Sequence, residues 1–251
     1  MKSIRHIIPL LAFLFLYGSE AFAQSEPISR ERKNTVRINV SNPLIFGSRS
    51  IVFGYERLLK KNQSFSVNFG TQGLPDFAEG LQTDSIRLLG NSGSSGFHIS
   101  GDYRFYLSKE NKYPAPRGVY IGPYYSFNRF ARTNTWRMNT SSFTGDVSTD
   151  LSLNVHTVGF ELGYQFLFGE KFSLDLVLLG PGVGFYNMRA GINTTLNPQQ
   201  QAEFFQRIND YLAGKIPGYN LVVKEGDFAK NGSFRSAGLG YRYMINFGFR
   251  F

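Results

Sequence analysis

The sequence predicts an all-β fold: an eight-stranded antiparallel up-and-down transmembrane β-barrel with long extracellular loops, the last containing a short helix. Three observations predict it. Period-two alternation runs for about ten residues at a time, the length that crosses a membrane as a tilted strand. Connections between these runs alternate short and long. The composition is rich in aromatics and poor in charge: of 251 residues, 16% are aromatic and 18% charged, with 25 Phe and 27 Gly. So much Phe and Tyr excludes disorder, and the absence of Cys excludes a disulfide framework, a Cys-ligated zinc site and a thiol nucleophile.

The chain opens with Lys2, Arg5 and His6, the apolar stretch Ile7 to Tyr17, and Ala21-Phe22-Ala23 before Gln24. This order of charge, short apolar run and small-residue site reads as a secretory signal over residues 1–23. The apolar run is shorter than the roughly 20 residues a spanning helix needs. Residues 24–33 are expected as a periplasmic N-terminal segment and 34–251 as the barrel, exported to the outer membrane. Loss of Lys2, Arg5 and Glu20 takes the formal charge from +9 to +8, which favours an anionic partner.

Eight strands are expected near 34–42, 49–58, 63–71, 96–107, 117–130, 151–168, 171–187 and 234–251, an even number as single-chain bacterial barrels require. The clearest alternation places Phe97, Ile99, Tyr103, Phe105 and Leu107 on one face and His98, Ser100, Asp102, Arg104 and Tyr106 on the other. The last strand repeats it, with Leu239, Tyr241, Tyr243, Ile245, Phe247, Phe249 and Phe251 facing one way. Connections 43–48, 72–95, 131–150 and 188–233 are expected outside, and 59–62, 108–116 and 169–170 inside, matching the long-outside, short-inside rule. The sixth strand changes phase around His156 to Val158 and the seventh across Gly180 to Gly184, predicting a bulge or glycine kink in each. Pro123 is expected to face lipid, where its missing N–H is tolerated.

The C-terminal run from Tyr241 to Phe251 resembles the signature by which the barrel-assembly machinery recognises its clients, with Phe247, Phe249 and the final Phe251 as its aromatics. FGYERLLKKNQSFSVNFG (53–70), DYRFYL with GVYIGPYYSF (102–107 and 118–127) and VGFELGYQFLFGEKFSLDLVLLGPGVGFY (158–186) resemble a family of small outer-membrane barrels from Bacteroidota. That family has no agreed activity, so the resemblance implies fold and compartment alone.

An eight-stranded barrel has an interior that side chains can fill. Alternation places Arg37, Glu56, Asp102, Arg104, Glu161, Asp175, Arg242 and Arg250 inside, and acids and bases in similar numbers predict an ion-pair network plugging the lumen. A structural or interaction subunit at the cell surface, not an enzyme, is the function expected, within a larger outer-membrane complex or alone; a narrow ion-conducting pore is one alternative. The other is a lipid A-acting hydrolase, since His98-x-Ser100 is similar to the pair used by outer-membrane lipid A deacylases, where His serves as base to a Ser nucleophile.

Arg129, Arg132, Trp136 and Arg137 are expected to meet lipopolysaccharide or a partner protein. Asn197-Pro198 opens a helix over Gln199 to Ala213. Its stripe of Phe204, Phe205, Ile208, Tyr211 and Leu212 is expected to cap the barrel or dock onto another outer-membrane protein. Asp84-Ser85-Ile86 resembles the O-glycosylation motif of Bacteroidota. No cofactor or metal is expected: Gly180, Gly182 and Gly184 lack the Lys-Ser/Thr of a phosphate loop, and the three His form no ligand cluster. Nucleic acid is disfavoured because the aromatics lie on lipid-facing strand positions.

Overall fold

The computed structural model describes residues 32–73, 82, 84, 86–140, 143–193, 197–215 and 233–251. The expected signal, most of the 24–33 segment and Ser85 lie outside the described residues. In chain order the elements are β1 (Asn34–Asn39), α1 (Ser41–Phe46), β2 (Val52–Lys60), β3 (Gln63–Thr71), β4 (Ile86–Tyr106), β5 (Gly118–Thr140), β6 (Phe143–Phe168), β7 (Phe172–Leu179), β8 (Pro181–Asn193), α2 (Pro198–Lys215), β9 (Ser233–Tyr241) and β10 (Met244–Arg250).

All pairings are antiparallel. The ring runs β5-β4-β3-β2-β1-β10-β7-β6 and closes where β6 pairs back onto β5. Segments β8 and β9 continue β7 and β10 upward, so the wall is built of eight strands. At its lower seam Asn34 and Phe251 exchange backbone hydrogen bonds of 3.1 and 2.9 Å. Closure removes the unpaired edges that an open sheet would present there. No helix among the described residues is long and apolar enough to cross a membrane.

The faces are those of a protein turned inside out. Val36, Phe53, Phe65, Phe69, Phe97, Ile99, Phe160, Phe247 and Phe249 point outward and are exposed, while Arg37, Glu56, Asp102, Arg104, Glu161 and Asp175 are buried within. A continuous apolar outer belt of this kind is stable only against lipid. Pro123 points outward, as expected, and the β4–β5 ladder is interrupted opposite it, between Asp102↔Tyr124 and Phe105↔Ile121.

Several boundaries differ from expectation. β1 stops at Asn39 because the Asn39 side chain accepts the amide of Asn42 at 2.7 Å, a local bond that competes with the ladder. Pro43 then lies in the short helix α1. The stretch 131–150, expected as a long loop, is the upper half of the β5–β6 hairpin, paired in unbroken register from Gly118↔Gln165 to Thr140↔Phe143. Its alternation is inverted: Trp136, Met138 and Val147 are buried inside while Thr133, Thr135 and Arg137 face out. That is the pattern of a barrel standing in water, so a lipid-facing template misses it.

The same inversion corrects the sixth strand. No phase change occurs at His156 to Val158; Leu151, Leu153 and Val155 point inward with Thr157, Gly159 and Glu161. The seventh strand does change phase. Leu162 pairs with Leu179 but Gly163 with Val177, a bulge that hands the inward face from Asp175 and Val177 to Gly180, Gly184 and Met188. Helix α2 begins with a reciprocal cap, in which Gln200 N donates to Asn197 Oδ1 at 2.9 Å and Asn197 N to Gln200 Oε1 at 3.0 Å.

Candidate functional site

Every wall strand sends side chains into the middle of the lumen. Arg104 stands at its centre, fully buried. It lies 2.7 Å from Asp102, 3.0 Å from Asp175, and 3.6 Å from both Glu56 and Glu161. Arg37 reaches Asp175 at 2.8 Å and Glu56 at 3.7 Å. Arg242 bridges Asp102 and Glu161, each at 2.9 Å. Three guanidinium groups are thus interleaved with four carboxylates, so no charge in the group lies far from its opposite.

The eighth charge expected in this network stands apart from it. Arg250 is buried but donates to the backbone carbonyls of Arg32 (2.8 Å) and Glu170 (3.4 Å) at the lower end. Neutral members that reasoning from charge alone does not find add further hydrogen bonds. The Tyr106 hydroxyl lies 2.9 Å from both Glu56 Oε1 and Gln165 Oε1, Tyr120 donates to Asp175 at 2.6 Å, and Asn246 donates to the same carboxylate at 3.1 Å. Arg37 also meets Ser66, and the Tyr120 ring lies 4.3 Å beneath the Arg104 guanidinium. Their signal in the sequence is the inward parity of each position, which treats a Tyr or Gln like any other residue.

Tyr120 reaches its place because β6 carries Gly163 opposite it. A Cβ at Gly163 would overlap the Tyr120 ring and come 2.7 Å from the Leu176 carbonyl. A small residue on one strand therefore seats a large one from the next, a usual way to fill a narrow barrel.

Above the network lies a second constellation. His98 Nε2 is 3.0 Å from Ser100 Oγ, and His98 Nδ1 is 2.7 Å from Asn128 Oδ1 on the neighbouring strand. Asn68 Nδ2 and Arg242 Nη2 approach the same Ser100 oxygen at 3.1 and 3.4 Å. All of these groups face the lumen. Higher still aromatic side chains join the filling, with Phe130 against Phe46 of α1 at 5.9 Å and Trp136 donating to Thr149 at 2.9 Å.

The other sequence candidates divide. Arg129 and Arg137 are on the outer surface, Arg137 forming a two-pronged pair with Asp146. Arg132 and Trp136 are inside, with 6% and 1% exposure, and cannot meet lipid or a partner. Each follows the inward parity of β5, and Arg132 donates to Asn134 at 3.1 Å. On α2, Phe205 is buried; the side chains of Phe204, Ile208, Tyr211 and Leu212 lie outside those described. Phe247, Phe249 and Phe251 point outward on the last strand.

No protein-family model matches the chain, and neither does any curated protein. Among solved structures, the crystal structure of a major outer membrane protein from Thermus thermophilus is similar at 9% identity and a TM-score of 0.37, covering 88% of this chain and 100% of that one.

Proposed function

We propose that this protein is a non-conducting outer-membrane barrel that works through its extracellular rim, as a structural or interaction subunit of the cell surface. The observation that carries this reading is the network around Arg104, which joins side chains from around the wall at mid-height and sets each of its charges beside an opposite one. A hydrated ion crossing that layer would have to part pairs that are costly to separate away from bulk water. Export by residues 1–23 and insertion through the aromatic C-terminal strand belong to the same reading. Planar-bilayer recording of the purified chain tests it: the membrane stays silent, and steady steps of nanosiemens size would overturn it. Heat-modifiable migration on a denaturing gel tests the barrel in its membrane, and a mild-detergent purification identifies any protein that stays attached.

A second reading is favoured by the His98 geometry. Ser100, His98 and Asn128 stand in the order nucleophile, base and orienting acceptor, at hydrogen-bond distances. In an acyl transfer Ser100 Oγ would bond to an ester carbonyl carbon, His98 would pass the hydroxyl proton to the departing alcohol, and water would release the acyl group. Because the trio faces the lumen, such a substrate has to enter from the barrel mouth. A fluorophosphonate probe decides: labelling lost in Ser100→Ala and His98→Ala supports hydrolysis, and no labelling of the folded barrel removes it.

A further inference from the structure

The outer face changes chemistry along one row. On β5, β6, β8 and β9 the outward side chains Phe127, His156, Phe185 and Ala237 are followed, one outward position higher, by Arg129, Asn154, Asn187 and Arg235. The register makes these four a single row across four strands, because Arg129 pairs with Asn154, Asn154 with Asn187, and Asn187 with Arg235. Arg189 is the next outward residue on β8, between Ser152 and Ser233. Diagonal neighbours on a sheet are about 7–8 Å apart, so Arg189 and Arg235 form one cationic end, and Arg129 stands roughly 14 Å away at the other.

These arginines are exposed, and their side chains make no hydrogen bond or ion pair to a protein group among the described residues. Arg32 and Arg137, by contrast, hold Glu170 and Asp146. The Oδ1 atom of Asn154, between the two ends, is buried and has no hydrogen-bond partner. The acid farther up the same face of β6, Asp150, is engaged by the Thr133 hydroxyl at 2.6 Å. Three uncompensated cations at the upper limit of an apolar belt offer their guanidinium donors to an anion.

We propose that this row binds the phosphorylated sugar headgroup of an outer-leaflet glycolipid. Its acyl chains lie on the apolar rows below, and phosphate groups meet Arg129 at one end and Arg189 with Arg235 at the other. The inference rests on the reading that the barrel lies in a membrane with this rim outward. Guanidinium groups suit the task because they grip phosphate through two parallel N–H donors.

Native mass spectrometry of the full chain, released from detergent after mixing with equal amounts of diphosphorylated lipid A and the same lipid stripped of phosphate, tests it. Adducts of the phosphorylated form dominate in the unaltered protein, and each of Arg129→Gln, Arg189→Gln and Arg235→Gln weakens them about tenfold, the order of one charge-assisted hydrogen bond. Equal adducts of the two lipids, or adducts unchanged in the triple variant, would overturn the proposal. Displacement of the lipid by millimolar inorganic phosphate alone would also overturn it, in favour of a free-anion site. Recovery of the chain in the outer-membrane fraction is scored separately: failure there with selective adducts intact removes the location, whereas loss of selectivity in a correctly located barrel removes the row.

Discussion

Arg104 and Asp175 belong to wall strands that are not neighbours, yet they meet across the lumen with 3.0 Å between Nη2 and Oδ2. Asp175 also accepts from Arg37, Tyr120 and Asn246, which makes it the most heavily used acceptor of the network. Asp175→Asn keeps the shape and removes the charge. Breaking one side of a buried pair costs about 3–5 kcal/mol, so the variant should lose its heat-resistant fast-migrating form at lower urea concentration. An unchanged urea midpoint would show that the pairs contribute little beyond filling space.

Gly163→Ala tests the seat of Tyr120. The added methyl meets Cζ and the hydroxyl oxygen of Tyr120, and overpacking of this kind costs about 1–3 kcal/mol. Because the overlap lies at the hydroxyl end of the ring, the double variant Gly163→Ala with Tyr120→Phe should recover part of the lost urea resistance. A double variant no more resistant than Gly163→Ala alone would show that the Leu176 carbonyl, and not Tyr120, is what the methyl cannot pass.

Trp136 is the sole tryptophan and is almost fully buried. Its fluorescence in the folded barrel should be blue-shifted and insensitive to iodide, and Thr149→Val should leave the shielding intact while removing the Thr149 hydroxyl from the indole N–H. Emission at the wavelength of a water-exposed indole would place the side chain outside, where a surface contact would need it.

Asp146 on the upper hairpin is held below the ordinary carboxylate range, first by the hydrogen bond from Arg137 and then by attraction to the same guanidinium. A depressed folded value means that the contact contributes above the unfolded carboxylate pKa, near 4, and is lost as pH falls through the lowered folded value. Both groups are exposed to solvent, so the effect is local. A carbon-13 titration of the Asp146 carboxyl should give a lower midpoint than in Arg137→Gln; equal midpoints would deny the pairing.

The sequence carries the membrane-embedded part of this molecule clearly and its upper part poorly, for one physical reason. Between His98 and Tyr106, or Tyr241 and Phe251, lipid demands apolar residues at every second position, and the inward parity of Asp102, Arg104 and Arg242 follows. Above Phe130 the solvent on the outside is water, the preference inverts, and Trp136 and Val147 become inward residues of a strand instead of members of a loop. The site shows the same division. Parity brings each charge to the lumen, but which carboxylate meets which arginine depends on register around the ring, as does the placing of Asn128 beside His98, thirty residues away in the chain.

The wall is unequal in height. β1 meets β10 over Thr35–Asn39, whereas β5 and β6 stay paired from Gly118 to Thr140. The stretch from Phe130 to Thr140 extends on the order of 35 Å along the strand, with no matching rise of β1 on the opposite flank. Among the described residues, then, the molecule has a front and a back. A body approaching from the medium meets a stiff mast, with β4 paired to β5 as far as Met138 and β8 paired to β6 as far as Ser148, before it meets the low flank, so contact with such a body is directional even for a barrel free to spin about its own axis.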